Sequence, residues 1–141
     1  MAETPRAPVP GLALTLMVAL GGMLGACARW GLGVWLHGGS WPWATLAANV
    51  LGSFLIGLVA ALTLPGGRWR WSPAWQQFWV TGIFGGFTTF SLFSLEALAM
   101  FQAQAWGLAG AYILVSVGAW LLAVVAGYAL GQHFNPRDGT L

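Results

Sequence analysis

The chain has 141 residues, of which 58% are hydrophobic and only 6% are charged, and it contains ten Trp and no Lys. Soluble proteins carry roughly 25% charged residues, so this composition excludes an ordinary soluble domain and indicates an integral membrane protein. The net charge of +2 is small and scattered along the chain, which argues against a nucleic-acid partner.

Four apolar windows follow one another along the chain, at residues 11–36, 43–64, 78–101 and 106–130. Each is longer than the ~20 residues that a helix needs to cross a hydrocarbon core of about 30 Å. They predict an all-α integral membrane protein with four transmembrane helices in a single domain over residues 1–141. The connecting segments are rich in Trp, which favours the depth of the lipid headgroups.

The first window carries small residues at four-residue spacing, such as Gly21 and Gly25. This spacing lets helix backbones approach closely, within one chain or between two. The sequence LGAC at 24–27 is similar to a bacterial lipoprotein signal. Because the apolar run continues past Cys27 to Leu36, a retained first helix is the simpler interpretation.

The second window carries Thr45, Asn49 and Ser53, which are four residues apart and therefore share one helical face. Polar residues within a membrane span usually face a partner or a water-filled path. This stripe predicts either the lining of a pore or hydrogen bonds between helices.

The third window has the sequence GGFTTFS (85–91) at its centre. Gly85 and Gly86 are poor helix formers and two Thr follow them, so the helix is predicted to break there. Irregular backbone at membrane depth is tolerated where it is buried in protein or lines a cavity, and its freed carbonyls bind small cations. The motif predicts an ion site built from backbone, or alternatively a packing kink capped by Thr hydroxyls.

Directly after this motif, Phe90 and Phe93 share one helical face, and Ser91 and Ser94 share the neighbouring face. Phe rings have a positive edge. A path lined by ring edges, hydroxyl groups and the amide of Asn49 suits a small anion. It also lacks a fixed positive charge, which could bind the ion too tightly for it to leave.

Three segments together resemble the first three helices of the Fluc, or CrcB, fluoride channels: GGMLGACARW (21–30), ATLAANVLGSFLIG (44–57) and GIFGGFTTFSLFSLEAL (82–98). The resemblance extends over all four windows. It implies a third helix broken at its centre and an antiparallel, dual-topology homodimer in the inner (plasma) membrane, with two fluoride pathways at the subunit interface. The implied function is passive, fluoride-selective efflux and hence fluoride resistance, without enzymatic turnover and without an organic cofactor.

The resemblance also implies roles for individual residues. The carbonyl groups of Gly85 and Thr88 from both subunits would hold one structural Na⁺ at the dimer centre. Arg29 and Glu96 match vestibule or structural charges, and Leu92 stands where the family often has a Thr, which removes one hydroxyl from the pathway. The implied fluoride pathway comprises Thr45, Asn49, Phe90, Ser91, Phe93, Ser94, Tyr112 and Ser116.

The distribution of arginine supports an alternative dimer. With a cytoplasmic N-terminus, Arg6, Arg68, Arg70 and Arg137 all lie inside, and the opposite loops carry no Arg or Lys. A subunit that inserts in both directions should show little such bias. The alternative is therefore a subunit of fixed orientation that pairs with an inverted, related chain.

Two other classes of protein fit the sequence less well. A small four-helix multidrug exporter has a similar size, but the first window lacks the acidic residue that proton coupling requires, and Glu96 is the only acid in the four windows. An enzyme is disfavoured because the chain shows no nucleophile, metal-ligand or phosphate-loop spacing.

Overall fold

The computed structural model describes residues 11–36, 38–39, 41–65 and 67–135. Within these residues four helical spans are long and apolar enough to cross a membrane. They are α1 (Gly11–Trp35), α2 (Trp43–Thr63), a third span over Pro73–Gln102 and a fourth formed by α6 (Trp106–Phe134). The predicted all-α architecture with four membrane-spanning helices is thereby confirmed, and the chain is a multi-pass membrane protein.

The third span is not a uniform helix. It consists of α3 (Pro73–Gln76), a π-helix (Gln77–Phe84), α4 (Gly85–Phe87) and α5 (Phe90–Gln102). Between α4 and α5, Thr88 and Thr89 have extended backbone angles, with ψ values of 157° and 123°. The backbone of this span therefore leaves the helical conformation close to its midpoint.

The third span begins five residues earlier than its apolar window. The Ser72 hydroxyl accepts a hydrogen bond from the backbone N–H of Trp75 at 3.3 Å, and Pro73 occupies the first turn. Ser at the N-cap and Pro at the first helical position are the preferred residues for starting a helix. Local capping rather than hydropathy thus determines where this helix starts.

The four spans pack in two pairs: α6 lies along α2, and α1 lies along the π-helix and α4. Glycine makes both contacts possible. A Cβ atom at Gly25 would overlap the carbonyl oxygen of Ile83, and one at Gly127 would overlap the carbonyl oxygen of Phe54. The small residues of α1 therefore serve backbone contact within the chain.

Between α5 and α6 lies a compact aromatic core around Phe93, Ala97 and Tyr112. Trp41 and Trp120 pack against it. The outer surface of the helices is apolar, and the side chains of Leu114 and Leu122 are 76% and 72% exposed. Such a surface suits the lipid environment that the four spans require.

Candidate functional site

The break in the third span is held by a side chain from α2. The Nδ2 group of Asn49 donates to the carbonyl oxygen of Thr89 at 2.8 Å, and Oδ1 accepts from the backbone N–H of Thr89 at 2.7 Å. Asn49 is buried, with only 4% of its surface exposed. The amide thus supplies an acceptor for the Thr89 N–H, which loses its helical partner at the break, and also donates to the Thr89 carbonyl at the start of α5.

Thr88 and Thr89 complete the break with their hydroxyl groups. Thr88 Oγ1 donates to the carbonyl oxygen of Phe84 at 2.9 Å. Thr89 Oγ1 caps α5 by accepting from the backbone N–H of Leu92 at 3.2 Å. The capping groups predicted for this motif are therefore present, alongside the amide of Asn49.

These hydrogen bonds alter the surroundings of two backbone carbonyls. In a continuous helix the N–H of Thr89 donates to the carbonyl of Gly85, and the N–H of Leu92 donates to the carbonyl of Thr88. Here both N–H groups donate to side chains, to Asn49 and to Thr89 respectively. The carbonyls of Gly85 and Thr88 are thus relieved of their usual helical donors at membrane depth.

On the C-terminal side of the break, Glu96 links three helices. Its Oε1 atom accepts from Thr45 Oγ1 at 2.7 Å, and its Oε2 atom accepts from the Tyr112 hydroxyl at 2.6 Å. Thr45 and Tyr112 are buried, with 2% and 0% of their surface exposed. Hydrogen bonds to a carboxylate in such surroundings are stronger than those between neutral groups. Glu96 therefore holds α2, α5 and α6 in register.

The two predicted Phe side chains have different environments. Phe93 is buried, and its ring centroid lies 5.2 Å from that of Tyr112 and 4.7 Å from that of Trp120. Phe90 contacts Phe93 at 5.6 Å between ring centroids, yet 71% of its surface is exposed. The pair therefore reaches from the core between α5 and α6 to the outer surface of the chain.

The predicted serines also separate into two groups. Ser116 is fully buried on α6, one turn from Tyr112. Ser91 and Ser94 are exposed on the surface of α5. Ser94 Oγ donates to the carbonyl oxygen of Phe90 at 2.9 Å, and Ser91 Oγ lies 3.3 Å from Thr89 Oγ1.

Arg29 lies near the same break, on the side of α1. Its Nε atom donates to the carbonyl oxygen of Gly86 at 3.3 Å, and the residue is half-buried. Arg29, Thr45 and Leu92 all line one open groove of about 360 Å³ between α1, α2 and α5. This groove places a positive charge and a hydroxyl beside the apolar Leu92 of the third span.

Some residues of the site could not be found from the pattern of polar residues. Thr89 anchors the break through Asn49; the sequence motif indicated capping by Thr hydroxyls but not this contact with α2. Trp41 and Trp120 pack on Tyr112 and Phe93. Their indole N–H groups are buried and have no partner among the residues that the structure describes. Trp41 lies in a connecting segment like the interfacial Trp residues, whereas Trp120 lies inside the fourth apolar window, a position that sets it apart from them.

Known proteins match this chain over most of its length. A family model described as "CrcB-like protein, Camphor Resistance (CrcB)" matches residues 16–128. A protein of Agrobacterium fabrum named fluoride-specific ion channel FluC is 48% identical over 120 residues, which cover 83% of this chain and 94% of the relative. Proteins of the same name from Thermus thermophilus and Opitutus terrae are 45% and 41% identical, over 86% and 92% of this chain and 95% and 100% of the relatives. The chain therefore belongs to the CrcB-like family.

Proposed function

We propose that this chain is a subunit of a fluoride-selective ion channel of the bacterial plasma membrane. The observation that carries the proposal is the identity of 41–48% to three proteins named as fluoride-specific channels, over at least 83% of this chain. The four membrane-spanning helices and the anchored mid-membrane break provide the structural context.

The proposed transport is passive. In acidic surroundings fluoride is protonated to HF, which enters cells as the neutral acid and is trapped as the anion at cytoplasmic pH. A channel lets the anion leave down its gradient, which confers resistance without chemical turnover. Discrimination against chloride would come from a narrow path with few, well-placed donors that replace the hydration shell of the smaller ion.

The eight predicted pathway residues do not enclose a channel within one chain. Phe93, Tyr112 and Ser116 are buried, whereas Phe90, Ser91 and Ser94 face outward. Polar side chains within a membrane span usually face a partner or a water-filled path, so this outer face favours a protein partner. A second copy of the chain packed here would cover the serines and complete a pathway on each side of the contact.

We infer an antiparallel arrangement of the two copies, and the position of the break is compatible with it. The break lies near the middle of the third span, so inverting one copy still brings the two breaks together at the membrane centre. In this homodimer each third span would be broken at the centre and would cross its inverted partner. Two equivalent fluoride pathways would then run through the dimer.

The break also fits the proposed structural Na⁺. Oxygen atoms of unwound backbone are suitable ligands for Na⁺ at the membrane midplane. Gly85 and Thr88 supply carbonyls that have lost their usual helical donors, and Gly85 is exposed on the surface of the chain. Two copies would contribute four such oxygens, and the bound ion would offset the repulsion between their partial negative charges.

The excess of Arg on one side favours the alternative of a fixed-orientation subunit with an inverted, related partner. Both alternatives use the same outer face of α5. They differ in whether the chain alone forms a conducting dimer.

A reconstitution experiment tests the function and the alternative together. The purified chain alone is placed in liposomes, and efflux is recorded with a fluoride electrode beside a chloride control. We expect rapid fluoride efflux and no comparable chloride efflux. Well-folded protein that releases no fluoride would contradict the homodimeric channel and favour the fixed-orientation subunit. Equal release of both anions would contradict fluoride selectivity.

A further inference from the structure

Several hydroxyl groups of the proposed pathway already donate within the chain. The Thr45 and Tyr112 hydroxyls both donate to the carboxylate of Glu96. The Ser94 hydroxyl donates to the carbonyl oxygen of Phe90. A hydroxyl has one proton to donate, so in this arrangement these three groups do not replace water around an anion. A fluoride ion that loses its hydration shell therefore needs other donors.

Unpaired donors occur in the aromatic core between α5 and α6. Among the described residues, three buried side-chain atoms have no hydrogen-bond partner: Trp41 Nε1, Ser116 Oγ and Trp120 Nε1. Buried polar groups without a partner are rare in native proteins, and each calls for an explanation such as a bound ion or water. An indole N–H donates and cannot accept. The missing partner of each Trp is therefore an acceptor.

Trp120 stands at the middle of α6 (Trp106–Phe134). Tyr112, Ser116 and Trp120 follow one another at four-residue spacing and so share one face of this helix. The Trp120 ring packs against Phe93, with 4.7 Å between ring centroids and 74° between the planes. Trp120 therefore extends the row of Tyr112 and Ser116 by one turn toward the membrane centre.

The surroundings of Trp120 favour an anion. Glu96 is the only acid among the described residues, and it is bonded to Tyr112. Tyr112 lies about 12 Å along the helix axis from Trp120. The other indole belongs to Trp41, whose ring packs on Tyr112 at 5.5 Å between centroids, beside the residue that binds the carboxylate. Repulsion by that carboxylate disfavours an anion at Trp41, which leaves Trp120 as the better donor.

We propose that the indole N–H of Trp120 donates a hydrogen bond to fluoride as the ion passes between α5 and α6 near the membrane centre. This role depends on the proposed fluoride channel and adds a donor that the pattern of polar residues did not predict. The indole nitrogen has no free lone pair for a cation. Trp120 thus provides a neutral donor that selects for anions without a fixed positive charge that would trap them.

The first measurement observes the N–H group directly. The wild-type chain in detergent micelles is labelled with ¹⁵N in its ten Trp rings, each of which gives one indole N–H signal in an NMR spectrum. We expect the Trp120 signal to shift with KF until it saturates and to stay in place with KCl at equal ionic strength. The Trp106 signal is the internal control, since that N–H donates to Gln104 Oε1 at 3.2 Å on the exposed surface.

The second measurement is fluoride efflux from liposomes. Trp120→Phe keeps an aromatic ring against Phe93 and removes the N–H, and its spectrum identifies the Trp120 signal by its loss. A hydrogen bond to a charged group contributes about tenfold or more, so efflux should fall by at least about tenfold. Trp106→Phe makes the same chemical change at an exposed position and should conduct like the wild type. Size-exclusion chromatography checks that both variants keep the wild-type oligomeric state.

The outcomes separate this role from the proposed function. If the wild type releases fluoride but its Trp120 signal ignores KF, the N–H has a permanent partner such as buried water, and the inference is overturned while the channel stands. Wild-type efflux from folded Trp120→Phe would overturn it equally. A wild type that releases no fluoride would remove the proposed function itself. If Trp120→Phe does not fold, proximity to the Phe93 ring assigns the Trp120 signal in the wild type, so the KF titration still decides.

Discussion

Asn49 and Thr89, forty residues apart in the sequence, form a reciprocal pair in which one side-chain amide satisfies both backbone polar groups of the threonine. The two hydrogen bonds measure 2.8 and 2.7 Å. They hold the backbone of the third span open at the depth where water is absent. A side chain predicted from the sequence to be a pore donor thus has a structural role in holding the break.

Asn49→Asp tests this pair with almost no change in shape. A carboxylate retains an acceptor for the Thr89 N–H but cannot donate to the Thr89 carbonyl, and the loss of one hydrogen bond costs about 0.5–1.5 kcal/mol. We expect a lower melting temperature in detergent and loss of fluoride efflux from liposomes. Thr63→Ala, at the end of the same helix, is the control and should keep both properties, because its hydroxyl donates to the carbonyl of Val59 within that helix. Wild-type efflux from Asn49→Asp would contradict the role of the amide.

Glu96 provides a second test, directed at stability. Tyr112→Phe removes the hydroxyl that donates to Oε2 at 2.6 Å and should cost about 1.5–3 kcal/mol, the range for hydrogen bonds to charged groups. Combining it with Glu96→Ala should cost less than the sum of the single changes, because both remove the same bond. Unfolding in detergent measures the free energy of unfolding of the wild type, of both single variants and of the double variant in this cycle.

Tyr128→Phe is the matched control for this cycle. The Tyr128 hydroxyl accepts from Gln132 Nε2 at 3.0 Å on an exposed part of α6. Its removal should change stability by less than about 0.5 kcal/mol, as for most surface substitutions. Additive effects of Tyr112→Phe and Glu96→Ala would show that the two side chains do not interact in the folded protein.

Glycine contacts between α1 and the third span lead to a third prediction. Gly25→Ala places a methyl group against the carbonyl oxygen of Ile83, a backbone atom that cannot move independently. Overpacking of this kind costs about 1–3 kcal/mol, so the melting temperature should fall. Gly31→Ala in the same helix meets nothing within 4 Å and should be neutral or slightly stabilising. A loss of stability at Gly31 as large as that at Gly25 would contradict this assignment of the tight contact.

The sequence predicted the number and type of spans well, because long apolar runs leave few alternatives in a membrane protein. The predicted start of the third span was five residues late. Gln76 and Gln77 interrupt the apolar run, whereas Ser72 and Pro73 start the helix before it. The hydrogen bond between Glu96 and Thr45 could not be predicted. These residues are 51 positions apart, and their contact depends on how α2 and α5 are rotated against each other.

Removal of Na⁺ tests the proposed ion site. A ligand that binds only the folded state stabilises it by about 2.7 kcal/mol at one hundred times its dissociation constant. We expect Na⁺ to raise the melting temperature of the purified protein relative to N-methylglucamine at equal ionic strength. Asn49→Ala should weaken this response, because the Thr89 N–H could then return to the Gly85 carbonyl. A melting temperature that does not change with Na⁺ would contradict the site.

Phe93→Ile examines the ring edges of the proposed pathway. Phe93 is 5% exposed and contacts the rings of Tyr112 and Trp120, so the change keeps the site apolar but removes the positive ring edge that would face an anion. We expect fluoride efflux to fall at least about tenfold, the effect of roughly 1.4 kcal/mol on the barrier. Phe101→Ile is the control, since that ring contacts Trp106 at the other end of α5. If Phe93→Ile conducted fluoride at the wild-type rate while remaining folded, the ring edge would not contribute to the pathway and the donors on Asn49 and the serines would have to account for selectivity.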